Sequence, residues 1–340
     1  MTVTTIGIDL AKSVFQVHGV NSSGQVFVRK RLRRSELMKF VAQLPENTLI
    51  GMEACASAHY WARRFREHSH KVLLMAPQYV KPYVKTNKND QNDAEAICEA
   101  VQRPSMRFVP EKSMEQQDIQ SAHRIRSRLV GARTALVNEV RGLLGEYGIV
   151  MALGIKRFRK EIVEVISSEN DNGLSGLMKQ MLSELYTEFC DLDLRIENCE
   201  KHIQQIFKQS EAAQRLETIP GIGVLAATAL VAAIGDASVF ENARQMSSWL
   251  GLVPRQNSSG GKQKLMGISK RGDRYLRTLL IHGGRSVVLY AKKKTDKRSE
   301  WIQQKEKTIG INKAAVAVAN KNARIVWKLL TSGESYKMAA

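Results

Sequence analysis

Cysteine is scarce in this sequence. Four residues, Cys55, Cys98, Cys190 and Cys199, are spread over 340 positions, with no CxxC pair and no spacing typical of metal ligands. This usage excludes a disulfide-stapled secreted domain and argues against a zinc site. We therefore expect free, mostly buried thiols in a reducing compartment.

Long apolar runs are also lacking. The longest, "IGVLAATALVAAI" at 222–234, is too short to span a bilayer. The N-terminus has no basic segment followed by an apolar one, so the sequence shows no secretion signal. These absences predict a cytoplasmic protein with no membrane partner.

Acidic residues are few compared with basic ones. The chain has 33 Asp and Glu against 52 Lys and Arg, which gives a formal net charge of +19. The excess is concentrated in 251–340, where 20 Lys and Arg stand against 5 Asp and Glu. Because cationic side chains bind phosphates with release of counterions, nucleic acid is the first candidate partner.

The first hundred residues alternate strand and helix signals. Runs rich in β-branched and aromatic residues predict strands at 4–10, 14–20 and 25–32, and the turn residues "NSSG" join the second and third into a hairpin. Two further strands, 48–53 and 71–76, are separated by a helix at 58–68, and another helix begins near Asn92. This order predicts an α/β domain of the ribonuclease-H-like type.

The rest of the chain is predicted to be mainly helical. Apolar residues at steps of three and four indicate long helices over 113–147 and 175–207, interpreted as an antiparallel hairpin or coiled coil. Two interpretations of this hairpin stand side by side: its helices pack within the chain, or it serves as a spacer or dimerisation arm. The predicted domains are 1–110, 111–212 and 213–340, with the last one mainly helical.

A glycine turn precedes a helix of small residues in "TIPGIGVLAATALVAAIG" at 218–235. The pattern indicates a helix-hairpin-helix, in which backbone N–H groups near Gly221 and Gly223 contact a DNA phosphate. A plain turn between buried helices is the alternative.

Four carboxylates stand at positions that suggest a metal site. Asp9 and Glu53 end the first and fourth predicted strands, which are neighbours in a ribonuclease-H-like sheet. Asp90 and Asp93 are three residues apart at a helix start, on roughly one face. Converging carboxylates need a cation, and hard oxygen ligands suit Mg²⁺ or Mn²⁺ for phosphoryl transfer. Each acid alone has a plain alternative as a solvated strand end or a helix N-terminal acid.

These segments together resemble a known family. The segments "GIDLAK", "MEACAS", "KNDQNDAEAI", "IPGIG" and "LGLVPRQNSSGGKQKLMGISKRGDRYLR" are similar to those of the insertion-sequence DEDD transposases of the IS-110 type, also called bridge recombinases. The Piv-type DNA invertases share the pattern. The "NSSGGKQK" form and the following "GISKRG" look most like the IS-1111 branch. The resemblance runs from Ile6 to about Arg285.

The resemblance implies a RuvC-like N-terminal domain whose acidic tetrad maps onto Asp9, Glu53, Asp90 and Asp93. A coiled coil then leads to a C-terminal transposase domain, where a serine directly before a glycine maps onto Ser259. Ser258 is adjacent, so the doublet leaves two candidates for the nucleophile. The implied activity is Mg²⁺-dependent DNA cleavage and rejoining through a covalent protein–DNA intermediate. The implied partners are donor and target DNA, a noncoding guide RNA of the element, and further copies of the chain in a dimer or tetramer.

The basic residues around the serines fit this chemistry. Gly260 and Gly261 would let a DNA backbone approach closely. Side chains that could hold flanking phosphates follow at Lys262, Lys264, Lys270, Arg271, Arg274 and Arg277. The segment "RQNSSGGKQK" at 255–264 is therefore interpreted as a loop that presents the nucleophile, and the alternative is a mobile, solvated linker.

Three other functions compete with an RNA-guided recombinase. One is a magnesium-dependent, RuvC-like structure-specific nuclease in which Ser259 is idle. Another is an actin-like kinase, which requires a second glycine-rich phosphate loop after a later strand; the helical second half shows no such signal. The last is a non-enzymatic nucleic-acid-binding module, which leaves the carboxylates unexplained.

Overall fold

A computed structural model of the chain describes residues 2–85, 90–168, 173–259 and 262–337. The chain divides into two compact units, Met1–Ser113 and Met114–Ala340. The separation of 111–212 from 213–340 as two domains stays a prediction. No helix within the described ranges has the length and apolar character needed to cross a bilayer.

The first unit is built on a six-stranded mixed sheet. Its strands are β1 (Thr5–Asp9), β2 (Val14–Val20), β3 (Val26–Arg33), β4 (Leu49–Glu53), β5 (Lys71–Met75) and β6 (Phe108–Val109). The spatial order is β3-β2-β1-β4-β5-β6. β1, β2 and β3 form an antiparallel meander, whereas β4 and β5 run parallel to β1. The predicted meander followed by parallel strands is confirmed, and the order is consistent with a ribonuclease-H-like sheet.

Helices cover both faces of this sheet. They are α1 (Arg34–Val41), α2 (Ala58–Arg66), α3 (Pro77–Val80) and α4 (Asp90–Ala100). α1 and α2 bury Leu37 and Phe65 against Ile8 and other apolar residues of one face. α4 buries Ile97 against Met75 on the opposite face. Because side chains alternate between faces along a strand, each strand serves both cores.

The second unit is mainly helical. Its helices are α5 (Met114–Gly145), α6 (Ile155–Ser167), α7 (Gly176–Gln209), α8 (Glu211–Glu217), α9 (Val224–Ile234), α10 (Ala243–Trp249), α11 (Arg274–Ala291), α12 (Lys297–Ile309) and α13 (Ile311–Ser332). The two long predicted helices are confirmed as α5 and α7 to within two residues at each end. The helices α6, α8 and α12 were not predicted.

The helices α5 and α7 run antiparallel. Arg126 of α5 pairs with Glu200 of α7 at 2.5 Å, and Arg133, later in α5, pairs with Asp193, earlier in α7, at 2.5 Å. Between the two helices lies an apolar seam that includes Leu136 of α5. The predicted helical hairpin is therefore present within the second unit.

A two-stranded hairpin replaces the predicted loop at 255–264. The strands β7 (Pro254–Ser259) and β8 (Lys262–Ile268) are antiparallel, with Ser258 opposite Gln263 and Ser259 opposite Lys262. The described side chains of both strands are exposed, including Leu265 at 64%, except Ile268, which is partly buried at the end of β8. A parallel sheet of the kind that an actin-like kinase requires is not found in the described part of this unit.

Candidate active site

The ends of two neighbouring strands place the first two carboxylates side by side. β1 and β4 are parallel, with Ile8 opposite Met52. Asp9 and Glu53 are the next residues, so both acids stand at the same edge of the sheet and on the same face. The predicted adjacency of these strands is confirmed.

Two glycines let helix α4 approach this edge. Gly7 and Gly51 are opposite each other in the sheet, each two positions before its acid and therefore on the same face. A Cβ on Gly7 would lie 2.3 Å from the carbonyl oxygen of Ala94, and one on Gly51 would lie 2.8 Å from Cβ of Val101. The backbone of α4 thus lies directly against β1 at Gly7, and the side chain of Val101, the residue after α4, packs onto β4 at Gly51.

The packing of α4 against the sheet brings Asp93, the third carboxylate, near Glu53. Asp93 lies one residue before Ala94, in the first turn of α4, and its charge acts on Glu53. Burial raises the pKa of the Glu53 carboxyl, and the negative charges of Asp9 and Asp93 raise that pKa further. Asp90 begins α4, but its side chain lies outside the described part of the structure.

The donor set fits a hard divalent cation. Carboxylate oxygens are the ligands that Mg²⁺ and Mn²⁺ prefer. Burial, and then the negative charges of Asp9 and Asp93, raise the pKa of Glu53, and a divalent cation would offset those charges. Among the side chains that the structure describes, no three His, Cys, Asp or Glu residues lie close enough to form a metal cluster. The fourth predicted ligand, Asp90, is not among those side chains.

A cysteine lies beside the carboxylates without forming part of their chemistry. Although Cys55 is exposed, desolvation by the surrounding protein atoms raises the pKa of its thiol, and the charges of Glu53 and Asp9 add to the shift. The sulfur therefore stays protonated and is a poor nucleophile or metal ligand.

The expectation of free thiols is confirmed, but the expectation that most are buried is wrong: of the four, only Cys98 is buried.

Gly7→Ala is expected to lower the free energy of unfolding by about 3 kcal/mol, because the new methyl group collides with helix backbone that has no room to shift. Gly51→Ala, which meets a side chain instead, should cost less. Denaturant unfolding monitored by circular dichroism measures both. Gly142→Ala is the control: nothing lies near its Cβ, it is exposed in α5, and alanine there should stabilise by about 0.5–1 kcal/mol. Equal stability of the Gly7→Ala variant and the wild type would contradict the close seat of α4.

The hairpin β7–β8 carries the two serines. Ser258 is exposed, and its Oγ accepts a hydrogen bond from Nε2 of Gln256 at 2.9 Å. Ser259 is the last residue of β7. The Ser259 side chain, Gly260 and Gly261 lie outside the described residues. The loop prediction missed a known signal, since two glycines between pairing segments are typical of a tight hairpin.

Most of the predicted phosphate contacts on this segment are accessible. The exposed ones are Lys264, Lys270, Arg271 and Arg274. The side chain of Lys262 lies outside the described residues, although its backbone begins β8.

Arg277 is placed differently from the other predicted phosphate contacts. Its side chain is buried, and its guanidinium donates hydrogen bonds to the carbonyl oxygens of Gly272, at 3.0 Å, and Leu250, at 3.4 Å. These two carbonyls flank the base of the hairpin β7–β8. Arg277 is therefore committed to holding that base, and its position was missed because the sequence does not reveal which arginine turns inward.

The glycine turn is present between α8 and α9. Gly221 has φ +91°, and a Cβ there would lie 2.8 Å from the carbonyl oxygen of Gly283 in α11. Gly221 therefore has a packing role, whereas Gly223 is exposed at the N-terminus of α9 with open space around it. Of the two predicted phosphate contacts, the geometry favours Gly223.

Comparison with known proteins gives matches over both units. Residues 6–149 match a DEDD transposase family of the IS110 type, and residues 213–300 match the family described as "Transposase IS116/IS110/IS902 family". The chain is 52% identical to a probable family 20 transposase of Pseudomonas aeruginosa over 99% of both chains. It is 48% identical to the transposase for insertion sequence element IS1111A of Coxiella burnetii, over 99% of this chain and 92% of the relative. A pilin gene-inverting protein of Moraxella bovis is 26% identical over 83% of this chain and 82% of the relative.

Proposed function

Because the chain belongs to the insertion-sequence transposase family that includes IS110 and IS1111, we propose that it cuts and rejoins DNA strands with a serine nucleophile under RNA guidance. The observation that carries the DNA-cutting half of this proposal is that Asp9 and Glu53 end neighbouring strands and that the charges of Asp9 and Asp93 act on Glu53. A DEDD transposase is a phosphoryl-transfer enzyme, and acids at one edge of the sheet support that chemistry here.

The carboxylates are proposed to act as a rigid holder for Mg²⁺ or Mn²⁺. Asp9, Glu53, Asp90 and Asp93 are the proposed ligands. A divalent cation held there polarises a phosphodiester and stabilises the leaving oxygen. Burial and the negative charges of Asp9 and Asp93 raise the pKa of the Glu53 carboxyl, and a cation bound among these acids would oppose that shift.

Ser259 is proposed as the nucleophile. Its Oγ loses a proton and attacks phosphorus, an Oγ–P bond forms, and the P–O bond to the leaving nucleotide breaks as its oxygen takes a proton. A hydroxyl of a second DNA strand then attacks the phosphoserine and releases Ser259. The bond energy is conserved, so rejoining needs no external energy source. Exposed Lys264, Lys270, Arg271 and Arg274 support the proposal, because cations here can hold the phosphates on either side.

The proposed partners follow from the same family membership. They are donor and target DNA, a guide RNA transcribed from the element, and further copies of this chain. The net charge of +19 supports a nucleic-acid partner of either kind. In the proposed dimer or tetramer, the carboxylates of one copy and the serine of another complete a site.

A nuclease without a covalent intermediate is the second candidate. The carboxylates alone suffice for hydrolysis, and their convergence is the observation that favours this reaction.

One experiment separates the two. The protein with its co-purifying RNA is incubated with Mg²⁺ and a nicked, end-labelled DNA that carries the element's junction, and the products are run on a denaturing gel. A label that migrates with protein supports the recombinase. Free cleaved ends without any adduct would replace it with the nuclease. RNase treatment before the reaction tests guidance, because cleavage at the junction should then be abolished.

A further inference from the structure

An exposed row of arginines lies on the same face of the sheet as the carboxylates. The outer strand β3 carries Arg29, Arg31 and Arg33 at alternating positions, so their side chains share one face. The register identifies that face: Asp9 is opposite Gln16 of β2, and Gln16 is opposite Arg31 of β3. Opposite residues in antiparallel strands point to the same side. Arg31 is therefore in line with Asp9, two strands away.

The distance from the carboxylates suits a neighbouring phosphate. Two inter-strand spacings of about 4.8 Å place the backbone of Arg31 about 10 Å from that of Asp9. Phosphates of one strand recur about every 3.4 Å along a duplex axis, so this distance corresponds to about one to three nucleotides. Arg33 is opposite Val14, beyond the level of Asp9, and so extends the row past the active edge.

The charges of this row are only partly compensated. Arg29 lies 3.9 Å from Glu95 of α4, a carboxylate that also binds Lys85. Arg31 and Arg33 are exposed, and neither side chain forms an ion pair with an acid in the described part of the chain. Two like charges at alternate positions of one strand repel each other, and a polyanion across both relieves that repulsion.

We propose that Arg31 and Arg33 form a phosphodiester-binding row that holds the DNA strand next to the bond being cut. The inference rests on the proposed function, since it assigns the row to the substrate of the carboxylates. Edge strands also carry charges that prevent pairing with other chains. Charges on either face of β3 would prevent such pairing, whereas binding of DNA at the active site requires the charges to lie on the face of Asp9.

The opposite face of the same strand supplies a matched control. Lys30 lies between Arg29 and Arg31 in the alternation, and its Nζ sits 5.5 Å from the centre of the Phe40 ring on the other side of the sheet. Lys30→Ala removes one charge from β3 without touching the face of Asp9. Arg31→Ala removes one charge from that face.

The test is a chemical double-mutant cycle with the full chain, its RNA and Mg²⁺. The DNA carries the element's junction with a neutral methylphosphonate at one position at a time near the cut. Arg31→Ala should slow cleavage of unmodified DNA about tenfold, as removal of a charge-assisted hydrogen bond predicts. At one position within about three nucleotides of the cut, the methylphosphonate should lower the cleavage rate of the wild type. At that position it should not lower the cleavage rate of Arg31→Ala any further. For Lys30→Ala, the effect of every modification should equal that in the wild type.

Independent effects of Arg31→Ala and the modification at every position would overturn the inference. So would equal rates for Arg31→Ala and Lys30→Ala. Failure of the proposed function is distinct, because the wild type itself would then cut no DNA. In that case the row is tested by binding of a labelled duplex of arbitrary sequence. The slope of log affinity against log salt should become shallower by about 0.9 in Arg31→Ala, which removes one phosphate-binding cation, and stay unchanged in Lys30→Ala. Equal slopes for both variants would again reject the inference.

Discussion

Asp9→Asn is expected to lower the rate of Mg²⁺-dependent strand cleavage about 10³-fold or more while leaving DNA binding intact. The substitution keeps the size of the side chain and removes a charge that acts on Glu53 and is proposed, with Glu53 and Asp93, to hold the cation. Loss of several kcal/mol of charge stabilisation in the transition state corresponds to this factor. Single-turnover cleavage of labelled DNA measures the rate, and gel shift measures binding.

The matched control for this prediction is Glu99→Gln in helix α4. Glu99 pairs with Arg103 at the surface, four residues further along the chain. The substitution removes one carboxylate from the unit without touching the site, so cleavage should stay within about threefold of the wild type. A defect shared by both variants would point to overall charge, and failure of Asp9→Asn to fold would make Asp9 a structural residue.

Ser259→Ala is expected to abolish the covalent protein–DNA adduct, whereas Ser258→Ala retains it. The two residues are consecutive in β7, and Ser259 is the proposed nucleophile because it stands directly before a glycine. Ser258 already accepts a hydrogen bond from Gln256. Trapping on nicked DNA followed by a denaturing gel gives the adduct yield for each variant and for the wild type.

The serine pair serves as its own control, since both variants remove one hydroxyl from the same strand. An adduct that disappears only in Ser258→Ala would exchange the roles of the two residues. An adduct that survives both substitutions would assign the nucleophile to another side chain.

The carboxylates at the sheet edge could be predicted from the sequence because strand ends and helix starts leave local signals. The apolar runs before Asp9 and Glu53 fix where β1 and β4 end, and the strand order then makes them neighbours. Gly7 and Gly51 were visible in the same motifs, "IGIDLAK" and "IGMEACAS", each two positions before an acid. Their function was not predictable, since it depends on a helix forty or more residues away.

The region around the serines was harder to predict. The strand β7 is mostly polar, and β8 has its apolar residues Leu265 and Met266 next to each other, so neither strand shows the alternation that marks a half-buried strand. Arg277 was indistinguishable from its exposed neighbours Arg271 and Arg274 until the carbonyls that it binds were located. Nonlocal hydrogen bonds of this kind leave no pattern in the sequence.

The close packing of α4 against β1 at Gly7 has a consequence for how the acids respond to their mutual repulsion. The helix backbone is in direct contact with the strand, and β1 and β4 are joined by their hydrogen-bond ladder. Asp9, Glu53 and Asp93 are therefore carried on a packed framework, and a proton or a counter-ion relieves their repulsion. The cost of assembling the acids is met when the chain folds, so the site is preorganised before substrate binds.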